Sequence, residues 1–136
     1  MLTLIKGALS PIRILEILRD YVYFADEAQA QKEIEIVCRY PQFFATRKLR
    51  ESIFKALHSA GGNGKGGTYF GATGCGKTHT MLFLARQLMC RYATKMSNPT
   101  IVVIVDRSDL EDQSGLLFCN AMTYLEDTNI KVFDSR

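Results

Sequence analysis

The stretch Gly71-Ala72-Thr73-Gly74-Cys75-Gly76-Lys77-Thr78 constrains this chain more than any other feature, because it fits G-x-x-x-x-G-K-[ST], the phosphate-binding P-loop pattern. The chemistry behind the pattern is specific. Glycines let the backbone curl closely around phosphate oxygens, so that its N–H groups converge as an anion nest. A helix starting near Gly76 adds the positive end of its dipole. Lys77 supplies a point charge for the β- and γ-phosphates, and the Thr78 hydroxyl is a ligand for Mg²⁺. The competing reading is a glycine-rich turn that holds no ligand. Cys75 sits where small residues are tolerated, with a redox role for its thiol as the alternative.

Glycine also marks the organisation. Eight of the ten glycines fall between Gly61 and Gly76. Residues 61–67 are too glycine-rich for a helix or strand interior, and they read as a connector. Residues 1–60 then form a mostly helical segment, and residues 68–136 an α/β segment. Ser10-Pro11 reads as a helix start, followed by Ile14, Leu15, Leu18 and Tyr21 at helical spacing. Asp26 to Glu33 reads as a polar turn or helix end, and Ile34-Glu35-Ile36 alternates too briefly to classify. From Phe43 to His58 the set Phe43, Leu49, Ile53, Phe54 and Leu57 predicts an amphipathic helix, with Arg47, Lys48, Arg50 and Lys55 on its polar side.

Beyond the connector, Thr68-Tyr69-Phe70 has strand propensity. Thr78 to Tyr92 reads as a helix with Leu82, Ala85, Leu88, Met89 and Tyr92 on one face. Thr100 to Val105 is a continuous β-branched run, the pattern of a strand buried on both faces of a parallel sheet. Asp106 to Tyr124 reads as loop then helix, and Ile130 to Phe133 as a third strand. The alternation predicts an α/β fold, a partial P-loop domain with a parallel sheet behind a helical segment.

Composition excludes several classes. At 47% hydrophobic and 23% charged, the chain lies in the globular range and outside the collagen-like and disordered ones. A net charge of +3 does not by itself imply nucleic acid. No apolar run reaches membrane-spanning length and no secretory leader is visible, so a cytoplasmic protein without a membrane partner is expected. Cys38, Cys75, Cys90 and Cys119 form no C-x-x-C pair, and neither His58 nor His79 lies at a zinc spacing from them. They are expected to be free thiols in a reducing compartment.

The run Gly66 to Thr78, with Thr80-Met81 after it, resembles the motor subunit of type I restriction enzymes, a superfamily 2 helicase-like ATPase. Thr100 to Gln113 is similar to that family's second helicase motif. Arg39-Tyr40-Pro41-Gln42-Phe43-Phe44-Ala45 resembles its adenine-contacting segment, where an aromatic stacks on the base and a Gln reads the base edge. The terminal Asp134-Ser135-Arg136 resembles the Ser-Arg that follows the third strand. The resemblance implies a RecA-like fold that uses ATP and Mg²⁺. It implies that Gly71, Ala72, Thr73, Gly74, Cys75 and Gly76 cradle phosphate, that Lys77 is the catalytic lysine and that Thr78 holds the metal. It gives Gln42 to adenine, and leaves Tyr40 and Phe43 competing for the stacking role. Asp106 and Arg107 would face the DNA track, and Asp109 either shares that role or caps the following helix. Arg47, Lys48 and Arg50 read as a solvated helix face, with phosphate binding as the alternative.

The departures from the family pattern matter as much. No D…E-x-K nuclease pattern occurs, nor the acidic pair of the third motor motif, the Walker B strand. The resemblance therefore implies part of a motor domain, truncated before that strand. In the intact family protein, ATP hydrolysis drives translocation of double-stranded DNA, a separate endonuclease domain cuts, and modification and specificity subunits are partners. Two other readings remain at this stage: a non-catalytic truncated remnant of such a protein, and a small P-loop kinase or transferase.

Overall fold

The computed structural model describes residues 10–27, 32–58, 67–105, 108–126 and 131. The Gly61–Gly66 part of the connector, Asp106, Arg107 and the Ile130–Phe133 strand expectation (apart from Lys131) lie outside the described residues, as do Asp134 to Arg136. Helix α1 (Pro11–Asp20) leads into strands β1 (Val22–Glu27) and β2 (Lys32–Val37). Helix α2 (Tyr40–His58) follows, and then α3 (Lys77–Arg86), which continues into a π-helical turn at Gln87–Arg91. A 3₁₀ turn at Thr94–Met96, helix α4 (Ser108–Cys119) and a short α5 (Met122–Leu125) complete the described elements.

Helix α1 starts where expected. Ser10 is extended, Pro11 fixes the first turn, and the Arg13 and Ile14 N–H groups donate to the Ser10 carbonyl at 2.9 and 3.0 Å. Within the expected turn or helix end at Asp26 to Glu33, residues 26–27 and 32–33 lie on strands instead, and residues 28–31 lie outside the described residues. The two strands pair as an antiparallel hairpin, with Val22 opposite Val37 and Glu27 opposite Lys32. Alternation then sorts β1 by face: Tyr23 and Ala25 are buried, whereas Phe24 is exposed. The N-terminal segment is thus helix, hairpin, helix.

The core is aromatic and gathers around α3. Tyr21, Phe43, Leu82 and Phe83 are almost completely buried. Tyr21 meets Phe43 edge-on at 5.0 Å between ring centres, and Phe83 lies 5.4 Å from Tyr21 and 6.3 Å from Tyr124. Tyr124 stacks on Tyr23 at 4.8 Å and donates its hydroxyl to the Asp20 carbonyl. Fully burying one such side chain contributes about 1.5–3 kcal/mol, and each well-placed ring pair adds about 0.5–1.5 kcal/mol. The helix spacing found Leu82, Ala85 and Leu88 but missed Phe83.

Arg50 is not part of a solvated face. It is 8% exposed, donates to the Gln87 Oε1 at 2.7 Å, and lies 4.9 Å over the Tyr92 ring. Arg47 lies 5.6 Å over the Phe43 ring. Guanidinium heads packed over aromatic rings, with a hydrogen-bond partner for the buried Arg50, account for both. Lys48 and Lys55 are exposed.

The parallel sheet is absent among the described residues, where the two-stranded hairpin is the sheet observed. Thr68–Phe70 and Thr100–Val105 take part in no ladder, and Phe70, Val102 and Ile104 are 92%, 77% and 89% exposed. The β-branched run describes a strand that needs hydrogen-bonding neighbours on both sides, and no described strand lies beside it. The fold is mixed α and β, and mostly helical.

Candidate functional site

The site is the turn between Gly71 and the first residues of α3. Gly74 and Gly76 adopt left-handed backbone angles, with φ of +77° and +78°. These two positions bend the chain into the opening of α3, for which Gly76 is the N-cap. The Cys75 N–H closes the turn on the Ala72 carbonyl at 3.3 Å. Ala72, Thr73 and Gly74 are exposed at its tip, while Gly71, Cys75 and Gly76 are half-buried. Lys77, exposed at the first helical position, reaches back over the turn. Its Nζ donates to the Gly71 carbonyl at 2.9 Å and the Ala72 carbonyl at 3.1 Å. The ammonium therefore sits at the mouth of the loop. Thr78 follows on the first turn of α3, half-buried.

Gln42 is tied to this turn. It is 5% exposed, and both ends of its amide are bonded. Its Nε2 donates to the Gly76 carbonyl at 3.1 Å, and its Oε1 accepts from the Arg39 N–H at 2.7 Å. The Gly76 carbonyl also accepts from the Thr80 N–H and the Thr80 hydroxyl, at 3.1 and 3.2 Å. A Cβ on Gly76 would meet the Gln42 Nε2 at 2.3 Å, so the close approach as well as the backbone angle requires glycine there. Arg39 extends its guanidinium to the Gly74 carbonyl at 3.4 Å. The segment Arg39–Gln42 and the P-loop, far apart in sequence, are thus one hydrogen-bonded unit. The sequence reading missed Arg39 and Thr80. The available signal was the position of Arg39 three residues before Gln42, where its N–H meets the Gln side chain.

The two stacking candidates separate. Phe43 is 1% exposed and belongs to the core, so it is withdrawn as a base-stacking residue. Tyr40 is 40% exposed and packs against Phe44 at 4.7 Å, which leaves it surface to offer. Near the loop, burial raises the Tyr69 hydroxyl above its ordinary range and the neighbouring Cys75 adds to the shift. Burial, with the Arg39 charge, lowers His79 below its ordinary value. The four cysteines are free, and burial pushes the Cys38 thiol up to about 11. Asp106 and Arg107 lie outside the described residues. Among the described residues no cluster of three or more His, Cys, Asp or Glu could hold a metal, and no helix is long and apolar enough to cross a membrane.

Residues 41–133 match the SWI2/SNF2 ATPase family, a span that includes Gln42, the P-loop and α3. The chain belongs to the SWI2/SNF2 ATPase family. It is also homologous to endonuclease subunits of type I restriction enzymes. It is 38% identical over 108 residues to the protein assigned as the type I restriction enzyme MjaVIIP endonuclease subunit of Methanocaldococcus jannaschii, covering 78% of this chain and 10% of that protein. It is 30% identical over 132 residues to the type I restriction enzyme HindI endonuclease subunit of Haemophilus influenzae, covering 97% of this chain and 12% of the relative. The chain therefore spans about a tenth of the length of these endonuclease subunits. No solved structure matches it.

Proposed function

We propose that this chain is the ATP-docking part of the DNA-translocating motor in a type I restriction enzyme. One observation carries the reading: a G-x-x-x-x-G-K-T turn with left-handed Gly74 and Gly76, opening a helix and crowned by the Lys77 ammonium, within a SWI2/SNF2 ATPase match. In this reading the Gly71–Gly76 backbone receives the phosphates, and the Lys77 Nζ exchanges its two loop carbonyls for phosphate oxygens. The fit of a metal rests on the donor present, the Thr78 hydroxyl on the first turn of α3 beside Lys77. Thr78 would hold Mg²⁺, which when bound neutralises phosphate charge. Tyr40 supplies the exposed ring for the base. Gln42 reads the adenine edge by giving up its present bonds to the Gly76 carbonyl and the Arg39 N–H, the contacts that otherwise tie it to the cradle.

The surrounding parallel sheet, the double-stranded DNA track, and the modification and specificity subunits belong to the intact enzyme in this reading, as does DNA cleavage. Thr68–Phe70 and Thr100–Val105 would be strands of that RecA-like sheet, which explains why apolar side chains at Phe70, Val102 and Ile104 face solvent here. These 136 residues carry no D-E-x-H or D-E-x-D motif. Phosphoryl transfer needs a held metal and an oriented water as well as a cradle. The purified chain is therefore expected to bind ATP with Mg²⁺ and not to turn it over.

Calorimetry with Mg·ATP tests the site. Lys77→Ala removes charge-assisted contacts of about 1.5–3 kcal/mol, which corresponds to a roughly ten- to hundredfold loss of affinity. Equal affinity of parent and variant would sink the P-loop assignment. Steady ATP turnover by the parent, lost in Lys77→Ala, would show that a catalytic acid lies within these residues.

A further inference from the structure

One face of α1 has no use in the nucleotide site. Ile12, Leu15 and Leu18 are 80%, 67% and 62% exposed, and their spacing of three forms a ridge along the helix. Beside the ridge runs a cleft of about 420 Å³, lined by Ile12, Leu15, Glu16, Arg19, Arg47, Arg50 and Tyr92. Its charge is unbalanced. Arg47 and Arg50 share the single carboxylate of Glu16, each at 3.7 Å, whereas Arg19 and Asp20 close to 2.6 Å. Lys95 adds a further cation over the Tyr92 ring, at 5.6 Å. Cations thus outnumber carboxylates around an apolar ridge.

We infer that this face docks an acidic amphipathic helix of a partner polypeptide, its apolar side chains on Ile12, Leu15 and Leu18 and its carboxylates toward Arg19 and Arg47. Two observations select that occupant. The cleft is basic, so the complement is acidic. The ridge is built from residues three apart on a helix, which is the form an amphipathic helix packs against. The chain's own first nine residues, Met1 to Leu9, contain no carboxylate and do not supply the complementary charge. The long Glu16 contacts are the ones an incoming carboxylate displaces. This inference is independent of nucleotide binding.

The probe is a synthetic helical peptide of Leu, Ala and Glu, with Leu at i, i+3, i+4 and i+7 and Glu on both flanks, followed by fluorescence anisotropy on the 136-residue chain. Its control replaces every Glu with Lys. The glutamate peptide is expected to bind at least about tenfold more tightly than the lysine peptide, with a preference that shrinks as salt is raised. Leu15→Ser combined with Leu18→Ser should abolish binding with only a small change in the thermal melt, because both side chains are mostly exposed. Arg19→Glu should weaken it. Equal affinity for the two peptides, no binding of either, or undiminished binding to the double variant would overturn the inference. So would a dimer in sedimentation that Leu15→Ser dissolves, since a second copy would then be the occupant.

Discussion

The P-loop and the Thr100–Val105 run have comparably clear sequence patterns, yet one takes its expected shape and the other does not. The loop is built from local choices. Glycine at 74 and 76 admits positive φ, and the helix that follows starts at its own N-cap. Its long-range support comes from Gln42, on a helix that packs on α3 within the described residues, and from Arg39 just before that helix. Ile101 packs against the core, but among the described residues no strand pairs with the run at 100–105. Its β-branched side chains suit a strand, but a strand is completed only by neighbours, and Val102 and Ile104 remain in water. A local motif carries its geometry with it, whereas a sheet segment borrows its geometry from the rest of the sheet.

The largest test of that contrast is in stability. Phe83→Ala, at the centre of the aromatic core, is expected to cost about 3–5 kcal/mol. Ile104→Ser should change stability by less than about 0.5 kcal/mol, because the side chain is already solvated. Denaturant unfolding of both variants measures the difference. A large loss for Ile104→Ser would mean that the run packs in solution and that the contrast is false.

Next comes the loop. Gly76→Ala forces a left-handed angle on alanine, at about 1–2 kcal/mol, and drives its Cβ into the Gln42 amide. Mg·ATP affinity should fall together with the melting temperature. An unchanged affinity would show that the loop tolerates rearrangement at Gly76.

Gln42→Ala sharpens the comparison further, because Gln42 is the bridge between the loop and α2. If its bond to Gly76 matters most, ATP and GTP affinities should fall together by roughly tenfold, the scale of a buried hydrogen bond. A loss for ATP with GTP unaffected would make base reading its main work instead.

The smallest effect is that of pH. His79 has its folded-state value lowered by burial and by Arg39, so the unfolded chain binds the proton more readily. Stability from this group is present above the ordinary histidine range and declines as pH falls through it. Unfolding measured across mildly acidic pH should therefore show a decline that is shallower in His79→Gln. Identical slopes would remove His79 as a source.

Legibility in the sequence followed the range of the forces involved. The start of α1 at Ser10-Pro11, helix α2 and the helix after the P-loop were readable because caps and helical periodicity are local. The hairpin was not. Asp26 to Glu33 looks polar, and pairing of Val22–Glu27 with Lys32–Val37 is a choice between segments rather than a property of either. Arg47 and Arg50 illustrate the same limit for side chains. Their charges suggested solvent, but the guanidinium heads lie over the Phe43 and Tyr92 rings.

The sequence by itself determined the form of the candidate phosphate loop, since Gly71 to Thr78 encodes both the bend and the charge in consecutive residues. It also carried the family, through residues 41–133. Only the tertiary structure decided that Phe43 belongs to the core while Tyr40 stays exposed, and that Gln42 clasps Gly76. The physical reason is distance along the chain. Burial and hydrogen bonding between α2 and α3 depend on how two helices pack, and no spacing within either helix states which of its neighbours the other will cover.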